Sequence, residues 1–169
     1  MTISWERLNT LDQLDFVAAL GGIFEGPPWI VTDAWAARPF SDVDTLDAAL
    51  CQVMYAASTE RKVALIQAHP DLVGRAARSG TLGPASTAEQ AAAGLNDLSA
   101  DEIATFERLN AEYQQRFGFP FVICARENKK ESILAGFATR MRNTRDQEIA
   151  TALDEIAKIC RLRLLGTIQ

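Results

Sequence analysis

The sequence is short of the residues from which metal sites and disulfide frameworks are built. It contains a single histidine, His69, and three cysteines, Cys51, Cys124 and Cys160, with no CxxC pair among them. One histidine and widely spaced thiols do not supply the ligands of a typical Cys/His metal site. An odd number of cysteines favours small buried thiols in a reducing compartment. We therefore expect neither a metal site nor a disulfide.

Long apolar runs and clusters of basic residues are also missing. No stretch approaches the ~20 apolar residues that cross a bilayer, and Met1 to Trp5 lacks the basic and apolar segments of a secretory signal. The formal net charge is −5, whereas nonspecific binding to nucleic acid depends on clustered Lys and Arg. These absences predict a cytoplasmic protein that binds neither nucleic acid nor membranes.

Helical periodicity runs through most of the chain. Its 169 residues are 48% hydrophobic and 23% charged, which is a globular composition and a length typical of one domain. Apolar residues recur at helical spacing, and alternating strand patterns are nearly absent. The sequence predicts an all-α fold, an irregular single-domain bundle of about seven to nine helices over residues 1–169.

Capping signals give the expected helix starts. We expect starts at Thr10–Gln13, at Asp42 or Asp44, at Ser58, at Ser99 with Glu102, and at Thr144 with Gln147. The first of these helices is predicted to bury Leu14, Val17 and Leu20. Residues 71–84 should form a loop, and residues 117–124 a short extended piece or a turn. In the helix from Glu127 to Arg142, we expect Arg140 and Arg142 to be solvated.

His69 is the natural general acid or base, because imidazole exchanges protons near neutral pH. A lone histidine at a helix end is also a common structural residue, since its ring can cap free carbonyls. Pro70-Asp71-Leu72 and an irregular loop follow it, and functional residues concentrate in such loops. The two interpretations stay open at this point.

The segment from Ser86 to Gln90 also admits two interpretations. Ser86 at the N-cap and Glu89 three residues later match a capping box, which is structural. The same arrangement places Glu89 and Gln90 in a first helical turn, where exposed amides tolerate anions. The two interpretations are compatible.

Arg163 stands out in the last predicted helix. The apolar stripe through Ile149, Leu153, Ile156 and Cys160 returns to Arg163 at 100° per residue. A guanidinium on the inward face costs desolvation energy unless it is paired. It therefore faces a ligand or polar pocket, forms a structural ion pair with a buried acidic residue, or extends its charged end to solvent near the end of the helix.

Taken together, these segments resemble one family over most of the chain. The matching short motifs occur in the order found in that family: Trp35, Arg38-Pro39-Phe40, His69-Pro70-Asp71-Leu72, Ser79-Gly80-Thr81-Leu82, Ser86 with Glu89-Gln90, Ala93-Gly94, Leu109-Asn110 with Tyr113, Phe117-Gly118-Phe119-Pro120-Phe121 and Arg163-Leu164. The sequence is similar to the 2-oxo-4-hydroxy-4-carboxy-5-ureidoimidazoline (OHCU) decarboxylases, which act last on the route from urate to allantoin.

The resemblance implies a cofactor-free carboxy-lyase that releases CO2 and forms (S)-allantoin. It implies catalytic roles for His69, Glu89 and Arg163. It implies substrate binding by the following residues, the last five through backbone groups: Pro70, Ser86, Gln90, Phe121, Val122, Ile123, Cys124 and Ala125. It also implies a homodimer.

Other functions compete with this one. One is a cofactor-free hydrolase or isomerase acting on a related ureido or purine-derived substrate. A second is a helical binding or scaffold module in which His69 and Arg163 are structural. A third, the hydrolase that precedes the decarboxylase on the same route, is disfavoured because that family is β-rich and transthyretin-like, whereas strand patterns are scarce here.

Overall fold

The computed structural model of the chain describes residues 2–169, apart from the side chain of Ala76. Ten α-helices fall within these residues: α1 (Trp5–Thr10), α2 (Gln13–Leu20), α3 (Trp29–Ala34), α4 (Val43–Ala56), α5 (Thr59–Gln67), α6 (Arg75–Ser79), α7 (Pro84–Ala92), α8 (Ala100–Phe117), α9 (Lys130–Arg140) and α10 (Arg145–Thr167). Short 3₁₀ turns lie at Trp35–Ala37 and Ala125–Glu127. The all-α prediction is confirmed.

The described residues divide into two compact units, and the first comprises residues 2–65 and 157–169. Within it α3 packs against both α2 and α4. The α2 helix buries Phe16, whose ring stacks on Phe40 with 6.2 Å between centroids. Residues near the two ends of the chain also meet in this unit, where Ile3 and Ile168 form a parallel bridge.

The second unit, residues 66–156, has an aromatic core along α8. The α8 helix buries Phe106, Tyr113 and Phe117 on one face. The extended segment after α8 adds Phe121, whose ring stacks on Phe137 of α9 at 3.8 Å. This core supports the segment in which the resemblance places substrate-binding backbone groups.

Most of the predicted helix starts are confirmed. Asp42 is the N-cap of α4, and Ser99 and Glu102 form the capping box of α8. Thr144 and Gln147 likewise bond to each other's backbone N–H groups before α10. Gly118 is left-handed and forms a bend with Phe119, and residues 120–124 continue without helix or sheet pairing.

Two local predictions near the N-terminus are wrong. Asp12 rather than Thr10 caps α2, since its carboxylate accepts from the Asp15 N–H at 2.9 Å, and Thr10 is the last residue of α1. Leu14 is 83% exposed, whereas Phe16 and Leu20 are buried. Phenylalanine has the larger apolar surface to remove from water, so the helix turns that face inward.

The predicted loop at residues 71–84 is not wholly irregular, because it contains one short helix, α6. Among residues 2–169, no helix combines the length and the apolar character needed to cross a membrane.

Candidate active site

His69 lies just beyond the last turn of α5. The helix ends at Gln67, two residues earlier than predicted, and the His69 N–H still donates to the Ile66 carbonyl at 3.1 Å. The residue is only 8% exposed. Pro70 follows and cannot continue the helix, because it has no N–H to donate. His69 is thus buried at the edge of an irregular loop.

The turn after His69 is held by side-chain amides. Gln90 accepts from the Val73 N–H at 3.0 Å and donates to the Asp71 carbonyl at 3.3 Å. Asn110 donates to the Leu72 carbonyl at 2.8 Å. Val73 has φ +56°, a left-handed conformation that strains a β-branched residue and persists only where its surroundings enforce it. These bonds fix the loop that carries His69.

The α7 helix begins earlier than the sequence prediction. Gly83 is its N-cap and Pro84 its first residue, so the predicted capping box from Ser86 to Glu89 is wrong. Proline at the first position is pre-organised for the helix and lacks an N–H that would need capping. Ser86 is therefore the third helical residue, and Glu89 and Gln90 lie beyond the first turn.

The predicted residues of α7 share one helix face. Ser86, Glu89 and Gln90 are separated by three and four positions, which places them side by side. Ser86 and Gln90 are buried, while Glu89 is partly exposed. The α7 helix contacts the turn at Ala125–Glu127. The structure therefore brings α7, the loop after His69 and the end of the 121–125 segment together within the second unit.

The 121–125 segment is fixed by its backbone. The Cys124 N–H donates to the Glu155 carboxylate at 2.8 Å, and the Cys124 carbonyl accepts from Asn128 Nδ2 at 2.9 Å. Burial and the carboxylates of Glu127, Glu155 and Glu89 raise the pKa of the Cys124 thiol. The thiol is therefore protonated at neutral pH, which does not suit a nucleophile.

The prediction for Arg140 is wrong. The side chain was expected to be solvated, yet it is buried, and its Nη1 donates to the Val122 carbonyl at 2.6 Å. Its guanidinium also lies 4.3 Å from the centre of the Phe121 ring. Arg142, by contrast, is exposed as expected.

A fully buried carboxylate balances the charge of Arg140. Arg140 Nε donates to Glu148 at 2.9 Å, Asn143 Nδ2 donates to it at 2.7 Å, and the Tyr113 hydroxyl donates to it as well. Burial and the hydrogen bond to Glu148 raise the pKa of Tyr113 well above its usual value. The phenol therefore stays a donor throughout the physiological range.

The pattern that singled out Arg163 also marks Arg140. Ile133, Phe137 and Arg140 recur at spacings of four and three along α9, which is the inward face of a helix. Glu148 is harder to find from sequence, because an acidic residue in the first turn of a helix is normally a surface feature.

Arg163 lies in the first unit, where it is inward-facing as predicted. Its side chain is 8% exposed, against 44% for Arg161 on the same helix. Its guanidinium donates to the Ile23 carbonyl at 3.2 Å and to the Glu25 carboxylate at 3.0 Å. The structural ion pair considered in the sequence analysis is therefore present. His69, Glu89 and the 121–125 segment belong to the second unit.

Comparison with known proteins identifies the family. The family model described as OHCU decarboxylase matches residues 9–165. The chain belongs to the OHCU decarboxylase family. A member from Amia calva, named 2-oxo-4-hydroxy-4-carboxy-5-ureidoimidazoline decarboxylase, is 40% identical over 96% of this chain and 93% of its own length. The protein of the same name from Haloferax volcanii is 41% identical over 96% and 94%.

A solved structure places the OHCU decarboxylase fold in a longer protein. A crystal structure of (S)-allantoin synthase matches with a TM-score of 0.77 and 26% identity. The match covers 99% of this chain and 54% of that one. This chain therefore spans about half the length of that protein.

Proposed function

We propose that this protein decarboxylates 2-oxo-4-hydroxy-4-carboxy-5-ureidoimidazoline to (S)-allantoin in urate degradation. Family membership over residues 9–165 is the observation that carries the proposal. Further support comes from the side chains: His69, Ser86, Glu89, Gln90 and Arg163 are all present at the positions that the resemblance assigns to the site.

The chemistry asks for charge stabilisation and one controlled proton transfer. When the carboxylate leaves as CO2, its bonding electron pair stays on the ring carbon. The ring carbonyl and C=N system of the substrate can accept that pair, so the reaction needs no separate electron sink. A proton delivered to one face of this carbon then gives a single enantiomer.

The residues divide these tasks according to their chemistry. His69 manages the proton, either taking it from the 4-hydroxyl or delivering it to the carbon. Arg163 binds a negatively charged oxygen of the substrate, and Glu89 orients His69 or binds the ureido N–H groups. Ser86 and Gln90 hydrogen-bond the ring and the ureido group. Pro70 and the 121–125 backbone complete the substrate contacts.

The bonds of Gln90 to the loop add a second task for this residue. While its amide holds Asp71 and Val73, Gln90 connects α7 to the backbone that follows His69. A residue that contacts both the loop and the substrate would align His69 with the bound ring.

A stereospecific assay tests the function. Freshly generated substrate is supplied, and circular dichroism follows (S)-allantoin while CO2 is measured in parallel. Wild-type protein should form both in equal amounts. General acid–base assistance is worth about 10²–10⁴-fold, so His69→Ala should keep the fold and lose most of the rate. Near-normal turnover by His69→Gln would exclude the role proposed for His69.

The same assay separates the rival functions. A hydrolase or isomerase acting on a related ureido substrate would release no stoichiometric CO2. A scaffold module would show no rate, and replacing His69 or Arg163 would then lower only the stability.

We also propose that the protein is a cytoplasmic homodimer that binds neither nucleic acid nor membranes. The resemblance supports the dimer. Leu14 offers apolar surface for such a contact, since it is 83% exposed on α2. The net charge of −5 argues against a nucleic-acid surface.

A further inference from the structure

The backbone of the 121–125 segment is bonded to the protein at alternate residues. The Val122 carbonyl accepts from Arg140, and the Cys124 N–H donates to Glu155. In an extended chain the polar groups of residues i and i+2 point to the same side, and those of residue i+1 point to the other. Ile123 therefore presents its N–H and carbonyl away from the groups that hold its neighbours.

Ile123 also differs from its neighbours in exposure. Phe121, Val122, Cys124 and Ala125 are buried, whereas Ile123 is partly exposed. Among the residues that the structure describes, none forms a hydrogen bond with the N–H or carbonyl of Ile123. A peptide group whose two neighbours are both held by the protein is well suited to bind a ligand with little loss of entropy.

Arg140 makes several contacts around the segment. It bonds the Val122 carbonyl at 2.6 Å, lies over the Phe121 ring and is itself anchored by Glu148. A guanidinium presents several N–H groups in a rigid plane, so one side chain can fix the carbonyl and the carboxylate together. The Glu148 carboxylate is in turn fixed by Tyr113 and Asn143.

We propose that Arg140, anchored by Glu148, is a positioning residue that fixes the Val122 carbonyl and so directs the Ile123 peptide groups toward the substrate. The kinetic part of this inference rests on the proposed decarboxylase function. Arg140 takes no part in proton transfer. Its loss should weaken substrate binding equally in the ground state and the transition state, which raises KM and leaves kcat nearly unchanged.

Two variants separate positioning from stability. Removing Arg140 alone would leave the buried Glu148 carboxylate without its positive partner and would destabilise the folded protein. Arg140→Met/Glu148→Gln removes both charges and leaves an amide to bond Tyr113 and Asn143. Arg140→Lys is milder, because it keeps the charge beside Glu148 but lacks the planar group that reaches Val122 as well. The matched control is Arg108→Met/Glu112→Gln, an exposed ion pair on α8.

The experiment combines steady-state kinetics with hydrogen exchange. A hydrogen bond to a charged group is worth roughly 1.5–3 kcal/mol, so KM should rise about 10–100-fold in both Arg140 variants while kcat changes by less than about threefold. Exchange of the Cys124 amide, which the bond to Glu155 protects, should quicken about tenfold or more when the segment loosens. The control pair should alter neither quantity.

Hydrogen exchange and kinetics distinguish failure of the inference about Arg140 from failure of the proposed function. If folded Arg140→Lys exchanges the Cys124 amide at the wild-type rate, Arg140 does not hold the segment and the inference is overturned. The same follows if kcat falls and KM stays constant, because Arg140 would then act on the chemical step. If the wild-type protein forms no allantoin, the proposed function fails, while hydrogen exchange still decides whether Arg140 positions the segment.

Discussion

At the scale of single residues, the buried side chains of two arginines, Arg140 and Arg163, show most clearly which polar contacts the fold requires. A guanidinium is removed from water only where a carboxylate, carbonyl or ligand replaces the lost solvation. Arg140 meets that condition with Glu148 and the Val122 carbonyl, and Arg163 meets it with Glu25 and the Ile23 carbonyl. A structural pair and a ligand contact are compatible in one arginine, since its five N–H groups can serve several acceptors.

Arg163→Lys tests whether Arg163 also serves the substrate. Lysine keeps the positive charge but loses the planar fork that binds carboxylates and carbonyls. Loss of one charged hydrogen bond to the substrate should lower kcat/KM by about 10–100-fold, measured in the allantoin assay. Arg161→Lys is the matched control, because Arg161 lies on the same helix and pairs with Asp44 and Asp47 instead. Its kcat/KM should stay at the wild-type value.

Glu25→Gln supplies the complementary measurement. It removes the charge that balances Arg163 and should lower the free energy of unfolding in a denaturant titration, whatever the role of Arg163 in catalysis. If Arg163→Lys lowers the stability like Glu25→Gln and leaves kcat/KM unchanged, Arg163 is purely structural and the proposed substrate contact is excluded.

At the scale of helices, N-caps contribute stability independently of the site. The Ser99 hydroxyl accepts from the Glu102 N–H, and the Glu102 carboxylate accepts in return from the Ser99 N–H. Ser99→Ala should therefore lower the free energy of unfolding by about 1 kcal/mol, measured by urea denaturation. The exposed Gln115→Ala on the same helix should change it little. Both should keep wild-type turnover; an unchanged stability in Ser99→Ala would show that this cap is dispensable.

Helix positions were predictable wherever one local signal dominates. Asp42, Ser99 and Thr144 cap helices as expected, because each side chain bonds backbone groups within three residues. Prediction failed where two local signals compete. At α7 the pattern from Ser86 to Glu89 matches a capping box, yet the N-cap is Gly83, three residues earlier, and Pro84 starts the helix.

Tertiary contacts set the limit of prediction for the site. The proposed site residues His69 and Glu89 were chosen from motifs in the sequence, whereas the bond from Arg140 to Val122 joins positions that are 18 residues apart. The partner of Arg163 is Glu25, 138 positions away. A helical stripe shows that such an arginine points inward, but it carries no information about which carboxylate will meet it.

At the scale of the whole molecule, the large apolar side chains that are exposed among residues 2–169 belong to the first unit. Leu14 is 83% exposed, and Tyr55 and Leu165 are 42% and 54% exposed. Ala18 lies one turn after Leu14 on the same face of α2 and lines a hollow of about 650 Å³ beside the chain ends. Exposed apolar groups beside a concavity are typical of contact surfaces between proteins.

If α2 forms the contact between two copies, Leu14→Gln should weaken the dimer. A two-fold interface repeats each residue, so a loss of about 1 kcal/mol per copy gives about 2 kcal/mol, or roughly 30-fold in the dissociation constant. Sedimentation equilibrium should show twice the 18.5 kDa chain mass for the wild type and a shift toward monomer for Leu14→Gln. Leu14→Met keeps the apolar area and should sediment like the wild type. A wild-type protein that stays monomeric at tens of micromolar would refute the dimer, and a dimer unaffected by Leu14→Gln would place its interface elsewhere.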